Sequence, residues 1–241
     1  MWKPSPRDWN RSAKVYIVIL IVLLLALVLG PHWWVQSILK KYQTPRDDFP
    51  GTGGELATHL VTELKLTGVQ VKLTDQGDHY SPVDRTVGLS PEVFSGRSLT
   101  AVVVAAHEVG HALQHADGYK PLQLRSRMVG FAAFSEKIAV GVLIALPLLT
   151  VVSRSPLIAR LMFVAVALGF LCSILTHLVT LPVEFNASFK RALPVLFNGG
   201  YLAEADHGPA KRILLAAAMT YVSASLIAIL NFSRWWLILR R

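Results

Sequence analysis

Four stretches of this chain are apolar almost without a break. Residues 15–29 are fifteen apolar residues ending at Gly30-Pro31, and Trp33-Trp34 extend them as an interfacial aromatic belt would. Residues 138–152 follow Glu136-Lys137. Residues 161–181 carry only Cys172, Ser173, Thr176, His177 and Thr180 as mildly polar breaks, and residues 213–230 lead into Asn231-Phe232-Ser233-Arg234-Trp235-Trp236. With their flanks, each approaches the roughly 20 residues that span a bilayer. The pattern predicts a mostly α membrane protein with about four transmembrane helices, at 15–35, 128–152, 161–181 and 213–230, between a basic N-terminal tail (1–14) and a basic C-terminal tail (231–241). The first run is long and no small-residue cleavage site follows it, so it reads as an anchor and not as a signal peptide.

The one sizeable polar region is 36–127. Gly51-Thr52-Gly53-Gly54-Glu55 opens a helix expected over 56–66. Val69-Gln70-Val71-Lys72-Leu73 alternates like a half-buried strand, Asp75-Gln76-Gly77-Asp78 reads as a turn, and residues 85–89 make a second strand. Ser90-Pro91-Glu92 starts a turn or short helix. Ser98 is a good N-cap for the helix that follows, 99–113, which is apolar nearly all round and so expected to be buried. These elements predict a small α+β domain. A second polar stretch, 182–212, is separated from the first by two crossings, which puts both on one face, where they can share a site.

At 53% hydrophobic residues and a mean hydropathy of +0.46, the chain is too apolar for an ordinary soluble domain. Its single cysteine, Cys172, excludes an intramolecular disulfide. The net charge of +9 comes without a basic stripe interleaved with aromatics, a glycine-rich phosphate loop or an internal repeat. Basic flanks meeting anionic lipid explain it better than nucleic acid does. The expected placement is an integral protein of the bacterial plasma membrane. Lys40, Lys41, Arg125 and Arg127 crowd the side opposite the chain start, and the site leans to the extracytoplasmic face.

The chemistry sits in His107-Glu108-Val109-Gly110-His111. On a helix, i and i+4 lie one turn apart on the same face, so both imidazoles can reach one metal ion. Glu108, rotated about 100° away, can stand beside the ion and take a proton from its water. A catalytic zinc usually takes a third protein ligand. Asp117, Glu136, Glu184, Glu204, Asp206 and His207 are the candidates. Glu184 stands out, because a carboxylate at the mouth of an apolar run, between Val183 and Phe185, is no casual surface residue. Glu204 and Asp206 are better explained as charges at a helix start. His79, Tyr80, His177 and Tyr221 are candidates to stabilise an oxyanion; His115 reads as supporting or surface, and His32 and His59 receive no role. Residues 87–89 could hold an extended peptide by strand addition.

The stretch from His79-Tyr80 through Leu89-Ser90-Pro91-Glu92-Val93, the block 106–116 around the motif and Leu181-Pro182-Val183-Glu184-Phe185-Asn186-Ala187-Ser188 resemble the YugP-like membrane zinc metallopeptidases; Ala217-Ala218-Met219-Thr220-Tyr221-Val222 is similar to that family's last membrane segment. The resemblance covers roughly 36–230, and its Glu-Phe-x-Ala block is also similar to that of the HtpX-type membrane gluzincins. It implies a gluzincin: zinc on His107, His111 and Glu184, and Glu108 as base. Asn186 stands where the family tends to have Asp. Asn accepts a hydrogen bond but brings no charge, so weaker zinc affinity or water activation is expected. The function this implies is hydrolysis of a peptide or protein substrate, one that could itself be membrane-associated. The rival readings are a non-catalytic membrane scaffold or assembly protein with a structural or vestigial zinc site, and a transporter subunit. An intact Glu108 argues against the first. The lack of a charged pathway in the apolar runs argues against the second. Oligomeric state and partner proteins stay open.

Overall fold

The computed structural model describes the backbone of residues 6–153, 156–220 and 222, with side chains throughout 29–135 and 179–220 and at scattered positions in the helices between. The chain is mostly helical. Helix α1 (Pro6–Lys41) runs through Gly30-Pro31 without ending there. Then come α2 (Gly53–Glu63), strands β1 (Gln70–Leu73), β2 (His79–Ser81) and β3 (Thr86–Leu89), the short α3 (Pro91–Phe94) and α4 (Leu99–Ala116), which carries the motif. Helices α5 (Lys120–Ser153) and α6 (Pro156–Phe185) pack on each other. A π-helical turn (Asn186–Ala192) continues α6 into α7 (Leu193–Asn198), and a last helix, α8, occupies 207–220.

Local sequence explains the starts. Thr52 and Glu55 form a capping box, so α2 begins three residues before the expected 56. The Ser98 hydroxyl accepts from Ala101 N at 3.2 Å and caps α4. The sheet has the order β1-β3-β2, with β1 parallel to β3 (Gln70 opposite Thr86) and β2 antiparallel to it (His79 opposite Gly88). Strand β2 escaped sequence reading, because three residues are too few to alternate. Its presence makes β3 the central strand, so 87–89 has no free edge for a peptide. The outer edges belong to β1 and β2.

Helix α4 is the centre of the core. It is buried along nearly its whole length and packs against α2, the sheet and the π-helical turn. Val87, Leu89, Leu60, Val103, Val109, Leu196, Ile213 and Leu214 around it are essentially inaccessible.

The expected membrane architecture is corrected. Among the described residues no helix is long and apolar enough to cross a membrane. The first two runs are fifteen residues each. That is about 22 Å of helix, against a hydrocarbon core of roughly 30 Å. In the third run Thr176 and Thr180 are buried, with hydroxyls bonded one turn back to Cys172 and Thr176 carbonyls. Most of the fourth run, and the tails 1–5 and 231–241, lie outside the described residues. The integral-membrane placement and its extracytoplasmic face rested on those spans and are overturned with them, and the bilayer as partner is left without support. The helices still expose apolar side chains, among them Ile19, Leu23, Phe134, Ile144 and Leu168.

One glycine sets the spacing at the centre. A Cβ on Gly110 would stand 2.7 Å from the Ala187 carbonyl oxygen, so α4 and the π-helical turn touch backbone to backbone there. Intrinsic propensity favours Ala over Gly in a helix by about 1 kcal/mol. At this position the clash should reverse the sign: Gly110→Ala is expected to destabilise by about 1–3 kcal/mol, read as a lower midpoint in denaturant unfolding.

Candidate metal centre

His107, Glu108 and His111 face inward from the third and fourth turns of α4, each exposed by 6% or less. Glu184 arrives from the C-terminal end of α6 and is fully buried. Its Oε2 lies 3.2 Å from His107 Nε2 and 3.2 Å from His111 Nε2. Among the described residues, these three form the group that could hold a metal ion. The others considered as a third ligand are not brought to this group among the described residues. Asp117 pairs with Arg191, and Asp206 with Arg46 at 2.7 Å. His207 stacks on Phe197, Glu204 lies in a 3-10 turn, and the Glu136 side chain is outside the described residues.

The protons decide what this convergence means. Ser188 Oγ donates its one hydrogen to the Leu214 carbonyl at 3.0 Å, so it accepts from His107 Nδ1–H, also at 3.0 Å. Gln114 Nε2 gives its two hydrogens to the Val183 carbonyl and Asn186 Oδ1, both at 2.9 Å, and its Oε1 accepts from His111 Nδ1–H at 3.0 Å. Each neutral imidazole thus carries its hydrogen on Nδ1 and turns a bare Nε2 lone pair to the carboxylate. Three lone-pair atoms meet in a dry interior with no hydrogen to share, an arrangement that wants a cation. Their spacing suits ligands about 2.0–2.2 Å from one zinc. The other Glu184 oxygen, Oε1, accepts no hydrogen bond and has Arg125 Nη1 2.8 Å away as an ion-pair partner.

Glu108 is different. Burial above all, then the negative charges of Glu184 and Asp78, push its carboxyl up to about 7, with Arg125 pulling the other way. It lines a cavity of about 300 Å³ together with the two histidines, His79, Tyr80 and Arg125. A larger cavity of about 720 Å³ opens beside Val102, between α2 and residues 200–206. Val102 precedes His111 by nine residues, half a revolution at 100° each. That cavity lies behind α4, away from this chemistry.

His79 reaches the smaller cavity from β2, its Nδ1–H donating to the Gly77 carbonyl at 2.8 Å. Tyr80 also lines it, with its hydroxyl bonded to His115 Nδ1 at 2.7 Å. Asn186 reaches the histidines only through Gln114. Tyr221 and the side chain of His177 lie outside the described residues. Sequence reasoning missed Gln114, Ser188, Asp78 and Arg125. Gln114 stands three residues after His111 and Ser188 four after Glu184, so helical spacing could have found them. Nothing in the local sequence marks Arg125.

The family described as "Putative neutral zinc metallopeptidase" matches residues 16–240, and this chain belongs to it. Its relatives include the "Putative membrane protease YugP" of Bacillus subtilis (strain 168), 34% identical over 229 residues, which is 91% of this chain and 96% of the relative. No solved structure matches the chain. The family implies zinc as the metal and a peptide or protein as substrate.

Ser188 supplies the acceptor that orients His107. Ser188→Ala is expected to weaken zinc binding about 10- to 100-fold, measured by competition with a chromophoric chelator.

Proposed function

We propose that the chain is a zinc-dependent endopeptidase with His107, His111 and Glu184 as metal ligands and Glu108 as general base. The observation that carries this reading is the meeting of three proton-free ligand atoms beside a buried carboxyl held near neutrality. Zinc bound there would supply Lewis acidity, acidifying water and polarising the scissile carbonyl. The protein residues do the rest. Ser188 and Gln114 hold each imidazole in the Nδ1–H form. Glu108, a buried carboxyl on the cavity wall beside the two histidines, can take a proton from water and return it to the leaving amine.

The catalytic unit in this reading combines 36–127 with 182–212. An extended substrate would add to the outer edge of β2, which has no partner strand among the described residues and whose His79 and Tyr80 line the cavity. These two, with Tyr221 and His177, remain the candidates for oxyanion stabilisation.

Purified full-length chain should bind about one zinc per molecule, the open-site stoichiometry of a catalytic zinc. Glu184→Ala should lose most of it, by elemental analysis. Glu108→Gln should keep its zinc while kcat/KM on a peptide substrate falls by about 10²–10⁴. Zinc retained in Glu184→Ala would mean another third ligand; full activity in Glu108→Gln would remove the proposed base.

A further inference from the structure

We infer that Arg125 is a positioning residue that restricts Glu184 to a single ligand oxygen, keeping one coordination position open for water. The inference rests on His107, His111 and Glu184 being the ligands. Glu184 divides its oxygens: Oε2 faces both imidazoles at 3.2 Å, and Oε1 faces Arg125 Nη1 at 2.8 Å. A carboxylate free to rotate can offer both oxygens to one ion. Two imidazoles and two oxygens would fill four positions and leave none for water. A guanidinium held against Oε1 competes for that oxygen and blocks this, because its charge is permanent and its plane rigid.

Arg125 is well placed to act as a fixed clamp. Its side chain is only 15% exposed. It lies in the second turn of α5, three residues after Leu122, which is buried at 3%. The turn between α4 and α5 is closed by Tyr119 N bonding to the Gln114 carbonyl at 2.9 Å, and Gln114 is the residue that orients His111. Clamp and ligand helix are therefore tied to each other. Arg125 also neutralises a carboxylate with no exposure to water, a task left uncompensated if the side chain were cut back.

The test reads the metal without substrate. Full-length wild type, Arg125→Gln and Arg125→Lys are loaded with zinc for X-ray absorption and with cobalt(II) for visible spectroscopy, and zinc affinity is measured by chelator competition. Wild type should be four-coordinate, with an intense cobalt band. Arg125→Gln should keep two oxygen neighbours at about 2.0–2.2 Å but take both from Glu184, so the pH-dependent change in the cobalt spectrum that reports a bound water should be lost and zinc should bind about 10-fold more tightly. Arg125→Lys, which keeps the charge and loses the planar fork, should fall between. A five-coordinate wild type would overturn the inference, and so would variants indistinguishable from wild type. If Arg125→Gln fails to fold, Arg125→Lys alone decides: wild-type spectrum and affinity overturn the clamp. A wild type that binds neither metal would instead sink the three-ligand reading.

Discussion

Everything at the centre of this molecule follows from one electrostatic constraint: a carboxylate with no exposure to water faces two imidazoles that have no proton to give it. Isolated, such a carboxylate would protonate or the structure would loosen. Here Ser188 and Gln114 have already claimed both Nδ1 hydrogens, so the histidines cannot relieve it by ordinary hydrogen bonding. Arg125 balances one oxygen, and the other is left directed at the gap between the two Nε2 atoms. That gap is where the three residues could hold a metal ion.

Holding these groups in place falls to backbone packing. Glu184 and Ser188 are one turn apart where α6 passes into a π-helical turn, and both face His107. The wider turn lies flat against α4 because Gly110 has no side chain. Gly110 is thus the motif position that sets the reach from ligand helix to ligand helix, although it carries no chemistry. Gln114 works from the same contact, bonding the Val183 carbonyl across the interface while it orients His111.

How far the sequence reveals all this depends on whether a feature is local. The His-Glu-x-x-His spacing and the N-cap at Ser98 are local, and α4 forms around them as read. Glu184 was legible as a carboxylate out of place beside an apolar run, and the fold brings it to both histidines, 73 and 77 residues away. Arg125 and Asp78 carry no such mark, since their meaning lies in what they meet in space. Strand β2 and the π-helical turn were missed for a related reason: three residues show no period, and a π-helix is set by the contact with α4 and not by composition. The apolar runs misled in the opposite direction. The first three form helices among the described residues, as expected, but an apolar run in the sequence does not by itself make a helix long and apolar enough to cross a bilayer.

Asn186 illustrates how geometry changes the weight of a substitution. As a direct partner of a ligand histidine, an Asp in its place would add a full charge to the imidazole's hydrogen bond. The structure puts it one residue further out. Its Oδ1 accepts from Gln114 Nε2, and it is Gln114 Oε1 that meets His111. A charge there would reach the metal ligand only by polarising an amide. Chains of hydrogen bonds transmit that polarisation at a modest fraction per bond. The neutral Asn therefore costs the site less than the sequence alone leads us to expect. What it must do is accept one hydrogen bond, so that Gln114 presents its oxygen, not its nitrogen, to the histidine.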